Sequence, residues 1–360
     1  MEGIGEAVRF MGSAQFWRMG VLWTLSLVSS YLRLCIFRWN SQSYPRRASP
    51  APDSPPVCIV TGATSGLGQA TAYALSEHGF YVVLVGRSSR LLSKTVEGIR
   101  EKNATALLKA FEVDLSSFKS ILKFKDSLAR WLMDSGLHSS VQLLINNAGI
   151  LATSSRQTTQ GYDQMMYTNY IGPFSLTTIL LPLLRNSPVG SRIVNVTSFT
   201  HRCVFDVQVD KETVAGMRFS GLAQYPYAQI YEYSKLCILL FSYQLHRELY
   251  TVDKSSGVSV IAADPGVVET NIMREVPPLL SRLAYTVLKL LRLLQSPEVG
   301  VAAVLDAALA PAEASGMYFM GGNGQTVGSS GLSYNRKLSA GLWEASHELF
   351  LDSQLDRSVL

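Results

Sequence analysis

From residue 57 onward, short apolar runs alternate with longer amphipathic stretches. Val57–Thr61, which is rich in β-branched residues, and Phe80–Val85, Ala106–Val113, Val141–Ile145, Arg192–Val196 and Val258–Ala262 read as strands. Their largely unbroken apolar character is that of strands covered on both faces. Gln69–Leu75, Ser88–Lys102, Ser116–Met133, Tyr162–Leu184 and Ala228–Tyr250 lie between or after them and read as helices. Gly316–Phe319 reads as a last strand and Ser333–Phe350 as a terminal helix, with 351–360 a loose tail. Strands alternating with helices of this length predict one α/β domain over 57–350, built on a doubly wound parallel sheet. Right-handed crossovers then place the ligand crevice at the carboxyl ends of the strands.

Residues 1–56 follow a different pattern. After the flank 1–18, residues 19–37 are apolar apart from Arg33, with Phe16, Trp17, Phe37 and Trp39 at the ends. Nineteen helical residues match a bilayer core of about 30 Å, and aromatic ends suit its interfaces. The stretch therefore predicts a single transmembrane anchor. A secretory signal lacks its A-x-A site here, and Glu2 and Glu6 argue against a transit peptide. A buried core helix is the remaining alternative. Residues 38–56 hold Pro45, Pro50, Pro52, Pro55 and Pro56 and read as an extended linker. Basic residues after the span slightly outnumber those before it, which favours a cytosolic catalytic domain.

Charge narrows the class of partner. The first 56 residues carry six arginines against three acids, so most of the chain's net +5 is local to them. No basic stripe with interleaved aromatics is present, which argues against nucleic-acid binding. Cys35, Cys58, Cys203 and Cys237 are widely spaced and fit neither a metal site nor a disulfide framework.

The predicted strand ends carry the chemistry. Strand one runs into Gly62, Gly66 and Gly68 ahead of a helix, an arrangement that aims backbone N–H groups at a phosphate. Its spacing, G-x-x-x-G-x-G, differs from the usual dinucleotide fingerprint. Strand two ends at Arg87, with Arg90 near it, where an acid would select NAD. An arginine there suits a 2′-phosphate and favours NADP(H), with NAD(H) as the alternative. Strand three ends at Asp114, placed to accept from an adenine amine or to cap the next helix. Strand four ends at Asn146-Asn147-Ala148-Gly149 and strand five at Thr197-Ser198. Tyr231 and Lys235 follow at helical i, i+4 spacing, so phenol and ammonium share one face, and Tyr233 points elsewhere. A neighbouring ammonium favours the phenolate, which is the tuning an acid/base catalyst needs.

In this order the motifs resemble those of the short-chain dehydrogenase/reductase family, over about Val57 to Phe350. They include Asn169 within Thr168–Gly172 and the run Pro265-Gly266-Val267-Val268-Glu269-Thr270. Arg192–His201 and Leu342-Trp343-Glu344 are most similar to the membrane-bound, retinol-dehydrogenase-like branch. The resemblance implies a Rossmann-type fold with Tyr231 as acid/base, Lys235 lowering its pKa and holding the ribose, Ser198 polarising the substrate oxygen and Asn169 holding a relay water. It implies a cofactor set of Thr61, Gly62, Thr64, Ser65, Gly66, Leu67, Gly68, Arg87, Asp114, Leu115, Asn147, Ala148, Gly149, Tyr231, Lys235, Pro265, Gly266, Val268 and Thr270. The expected activity is hydride transfer between a nicotinamide and a hydrophobic alcohol/carbonyl pair, by an enzyme anchored in the endoplasmic reticulum. The alternative is a cofactor-binding regulatory or interaction protein on the same fold.

Three further expectations follow. The unusually long segment 202–227 between Ser198 and Tyr231 reads as a substrate-side flap. Leu279–Leu294, leucine-rich with Arg282, Lys289 and Arg292, reads as a membrane-surface helix or the roof of a lipid-sized pocket, with a core-packed helix whose cations snorkel as the alternative. Family analogy puts a homodimer interface on the helices at 162–184 and 228–250, with an anchored monomer as the alternative.

Overall fold

The computed structural model describes residues 10–36, 42–47, 54–219, 221–252 and 257–355. The flank 1–9, Arg38, Trp39, Pro50, Pro52 and the tail 356–360 lie outside them. In chain order the main elements begin with α1 (Ala14–Ile36), β1 (Val57–Thr61), α2 (Gly66–Glu77), β2 (Tyr81–Gly86), α3 (Ser89–Lys102) and β3 (Leu108–Glu112). Next come α4 (Phe118–Asp134), β4 (Leu143–Asn146), α5 (164–185), β5 (Ser191–Val196) and α6 (Tyr227–Val252). The last are β6 (Val258–Asp264), β7 (Val267–Val268), α7 (Pro278–Leu290), β8 (Leu294–Gln295), α8 (Pro297–Leu309), β9 (Tyr318–Met320) and α9 (Arg336–Leu355).

Seven strands form one parallel sheet in the order β3-β2-β1-β4-β5-β6-β9. The expected doubly wound sheet is present. The chain reverses direction beside β1, which pairs with β2 through Val57↔Tyr81 and with β4 through Cys58↔Leu143. Such a reversal opens a crevice at the strand ends. Side chains alternate along each strand, so Ile59, Val83, Leu144 and Ile193 enter one core layer. Cys58, Val60, Val82, Leu84 and Val194 enter the other. The central strands β1, β2 and β4 are buried on both faces, whereas the edge strand β3 carries Lys109 and the exposed Glu112.

Helix α8 was not anticipated. It is buried at Val301, Ala303, Val304, Leu305, Ala307, Ala308 and Leu309 and so has no polar face to mark its period. The buried Arg192 guanidinium donates to the carbonyls of Ala307, Ala308 and Ala310, where a helix end has acceptors to spare. Burial lowers its pKa to about 10.

Two other segments depart from expectation. The described part of the linker is pinned to the domain: Tyr44 N–H donates to Gly324 O at 2.9 Å, and Arg46 pairs with Asp306 at 2.7 Å. Segment 202–227 does not act as a flap. Tyr225 donates to Asp163 at 2.6 Å, Tyr233 donates to Gln208 O at 2.5 Å, and Val214 and Ala215 enter the core. These contacts fold it against the start of α5 and against α6, away from the crevice. Finally, α9 extends to Leu355 and packs its apolar face on α5 and α6.

Candidate active site

The site grows from β1. Gly62 and Gly66 adopt φ of +66° and +52°, which only glycine takes without strain. A Cβ on Gly66 would meet the Thr270 side chain, and one on Gly68 would collide with Gly62 O and the Asn147 amide. The turn is therefore drawn tight against two neighbouring loops. Thr61 Oγ1 accepts from the N–H groups of Asn147 and Ala148 at 2.9 and 3.0 Å, and Asn147 Nδ2 donates to Thr61 O at 2.8 Å. Thr61 and Asn147 thus tie the ends of β1 and β4 together. The result is a shallow cradle of backbone in front of the amino end of α2, which suits a pyrophosphate.

A cavity of about 540 Å³ runs from this cradle along the strand ends. Of the expected residues, Gly62, Thr64, Ser65, Gly66, Leu67, Gly68, Arg87, Leu115, Asn147, Ala148, Gly149, Ser198, Tyr231, Lys235, Pro265, Gly266, Val268 and Thr270 all line it. Thr61, Asp114 and Asn169 stand behind that lining. Asp114 Oδ1 accepts from the backbone and hydroxyl of Ser116, at 2.9 and 2.7 Å. The cap of α4 is Ser117, so the capping alternative for Asp114 does not hold. Asn169 lies in a π-helical turn, Tyr167–Ile171, within α5. Its amide clamps Ile150, accepting from its N–H at 2.8 Å and donating to its carbonyl at 2.9 Å. A second donation reaches Ser234 Oγ at 3.1 Å.

Helix α6 delivers the reactive side chains. Lys235 Nζ lies 5.6 Å from the centre of the Tyr231 ring and donates to Val196 O at 3.2 Å. The Thr197 hydroxyl donates to Lys235 O at 2.8 Å and locks that turn of helix onto β5. Burial pushes the Tyr231 phenol above its ordinary value, the Asp264 carboxylate pushes it the same way, and a hydrogen bond with Ser198 opposes them. Here burial outweighs the lowering expected from Lys235. Lys235 is itself lowered by burial, to about 8, with Asp264 opposing.

Two buried groups were missed in the sequence. Asp264, at the end of β6, accepts from Tyr318 Oη at 2.5 Å and from Gly266 N–H at 2.8 Å. Its place directly before Pro265-Gly266 was the available cue. His201 sets the carbonyl of Ser198: Nε2 accepts from Ser330 N–H at 3.1 Å, so Nδ1 carries the hydrogen and donates to Ser198 O at 2.6 Å.

The outer half of the cavity is apolar, and its N-terminal side was assigned by sequence to a flank and a membrane anchor. Phe10, Phe16, Met19, Trp23 and Leu27 line it from the N-terminal side. Leu280, Leu283, Val287 and Leu288 line it from α7, which is the roof expected of that helix.

Comparison with known proteins follows this geometry. The profile of the family described as short chain dehydrogenase matches residues 56–207. The human protein named polyprenol dehydrogenase is 32% identical over 327 residues, covering 90% of this chain and 92% of its own. The chain belongs to the short-chain dehydrogenase/reductase family. Membership makes this dehydrogenase/reductase an NAD(P)-dependent oxidoreductase acting on alcohols. A second relative, dehydrogenase/reductase SDR family member FEY from Arabidopsis thaliana, is 36% identical over 234 residues, covering 63% of this chain and 58% of its own. Among solved structures, an uncharacterised protein from Mycobacterium Paratuberculosis aligns at a TM-score of 0.62 with 26% identity. It covers 86% of this chain and 98% of its own.

Proposed function

We propose that this dehydrogenase/reductase is a membrane-held, NADP(H)-linked enzyme that interconverts a long apolar alcohol and its aldehyde or ketone. One observation carries the reading: a single cavity joins the glycine cradle, the Ser198–Tyr231–Lys235 group and an apolar outer half. The relative named polyprenol dehydrogenase supports an isoprenoid chain as the substrate class. Arg87, exposed at the cradle end of the cavity, supports a 2′-phosphate on the cofactor.

The residues divide the work as follows. Gly62, Gly66 and Gly68 would hold the pyrophosphate, Lys235 the ribose, and Pro265 and Thr270 the carboxamide side of the nicotinamide. Bound nicotinamide supplies or takes up the hydride. Ser198 and Tyr231 orient the carbonyl oxygen by donating hydrogen bonds to it. As that oxygen becomes an alkoxide, Tyr231 gives up its phenolic proton to it, since an alkoxide is more basic than the phenol. A phenol kept protonated by burial is in the form that reduction requires. Asn169 positions this group through Ile150 and Ser234, and the family's relay water would run past it to solvent.

The membrane part of the reading rests on two apolar stripes. Helix α1 exposes Trp17, Val21, Leu25, Val28, Leu32 and Ile36, and α7 exposes Leu279, Leu283, Val287 and Leu290. The exposed Arg282 and Lys289 of α7 suit anionic lipid headgroups. α1 is also the one helix among the described residues long and apolar enough to cross a bilayer. Lying along the domain, α1 would present its exposed stripe with that of α7 to one face of a bilayer.

Tyr231→Phe tests the chemistry. It removes the proton donor and leaves the fold, so kcat with NADPH and an isoprenoid aldehyde falls by about 10²–10⁴-fold. NADPH binding, followed by cofactor fluorescence, stays intact. Unchanged turnover defeats the assignment, and NADPH binding with no turnover across a broad aldehyde panel favours a binding role instead.

A further inference from the structure

The expected membrane anchor makes a specific set of contacts with the catalytic helix. Glu232, the neighbour of Tyr231 on α6, is fully buried. Its carboxylate is held from α1: Arg18 Nε and Nη2 donate to it at 2.6–2.9 Å, and Trp23 Nε1 donates to it at 2.6 Å. Arg18 Nη2 also donates to Cys203 O at 2.7 Å. Residues five apart meet one carboxylate because Arg18–Trp23 is π-helical, which widens the turn by a residue. Farther along α1, Ser26 donates to Phe199 O at 2.8 Å, and Arg202 donates to Ser30 at 3.0 Å. Gln295 donates to Tyr31 at 2.7 Å. The helix is therefore tied to the domain along most of its length. On the same side, the Trp23 ring lies 5.6 Å from the Tyr231 ring, and Phe16, Met19 and Leu27 face the cavity with it.

We propose that α1 is a working wall of the substrate chamber, clamped by Arg18 and Glu232 and closed over Tyr231 by Trp23. The ligand of this wall is the apolar chain attached to the reacting carbonyl, so the proposal rests on the function assigned above. A buried carboxylate beside the acid/base tyrosine has its charge balanced from α1, and a lipid span needs no such partner. The chain-binding half of the site exists only while α1 is docked. The proposal concerns the inner face of α1 and leaves its outer, apolar stripe to lipid.

A charge-neutralising cycle in the full-length protein in detergent tests the clamp. Arg18→Met alone strands the Glu232 carboxylate, whereas Arg18→Met with Glu232→Gln removes both charges. The single variant raises KM for a long isoprenoid aldehyde about tenfold or more, leaves KM for a short water-soluble aldehyde and NADPH binding unchanged, and speeds hydrogen exchange over 14–36. The double variant restores slow exchange and brings KM back to within about threefold of the parent. Trp23→Ala raises KM for the long aldehyde several-fold more than for the short one, and Trp23→Phe, which keeps an aromatic wall, largely rescues it. If Arg18→Met destroys NADPH binding, the Trp23 pair decides the matter. Unchanged KM for the long aldehyde in the Arg18 and Trp23→Ala variants overturns the proposal, as does an equal loss with both aldehydes. Absence of turnover by the parent protein counts against the assigned function, while the exchange measurement still reports whether α1 is docked.

Discussion

At the scale of single residues, the site is governed by burial as much as by charge. Tyr231 and Lys235 are both driven toward their neutral forms, which suits a proton donor waiting in a dry chamber. Arg87 faces the opposite condition: it is exposed, and under the proposed function its fork would meet the 2′-phosphate of the cofactor. Arg87→Asp therefore costs NADPH a charge-assisted contact of about 1.5–3 kcal/mol. The expected outcome is a rise of about 10- to 100-fold in KM for NADPH with a gain for NADH, read from initial rates with each cofactor. An unaltered cofactor ratio removes Arg87 from the 2′-phosphate site. His201 gives a second residue-level prediction, on stability. Burial lowers its pKa from 6.5 to about 3, with the nearby Arg202 charge adding to the effect. Below pH 6.5 the unfolded chain takes up a proton that the native imidazole refuses until about pH 3. The unfolded state then binds more protons, so stability falls as pH falls through that window, by up to about 1.4 kcal/mol per unit. Chemical denaturation between pH 7 and 4 should show this slope, and His201→Gln should flatten it.

At the scale of elements, what was legible followed from periodicity and from loop chemistry. The central strands of the large sheet announced themselves because both of their faces are covered, and the glycines after β1 carried their own steric reason. Gly68→Ala puts a methyl group into Gly62 O and the Asn147 amide, so the β1–β4 junction must open. We expect NADPH affinity to fall about tenfold or more, in a titration of cofactor fluorescence, with the far-UV spectrum preserved. Affinity equal to the parent's means the cradle does not hold the pyrophosphate. Elements went unread where two environments reward the same residues. Apolar side chains in α1 serve a bilayer and a protein wall equally, and only Arg18, Ser26 and Ser30 mark the docked face. Helix α8 is buried on most sides, Asp306 included, and has no amphipathic period to detect. Segment 202–227 carries many polar residues, yet Tyr225 binds it to the start of α5 and Tyr233 of α6 holds Gln208, which no local pattern discloses.

At the scale of the whole molecule, the helices that family analogy assigns to a dimer are already occupied. Trp343 of α9 lies 6.1 Å from Phe241 of α6 in a stacked pair and meets Phe174 of α5 edge-on at 5.7 Å. Ser346 lies 2.6 Å from the Tyr170 hydroxyl, and Leu342 and Leu349 are fully buried. Stable dimers of this kind bury about 1,200–2,000 Å² or more, with an apolar centre. On α5 and α6 much of that apolar surface is spent within the chain, on α9. The full-length protein should therefore be monomeric in mild detergent, with a protein mass of 39.5 kDa by light scattering corrected for the micelle. Leu349→Arg places a charge in the seam and should release α9, exposing Phe174 and Phe241 to solvent. Those two rings then offer the continuous apolar face that the parent conceals, so the variant should self-associate with rising concentration. A parent protein that already sediments as a dimer, and keeps that mass in the Leu349→Arg variant, would place the subunit contact on another surface.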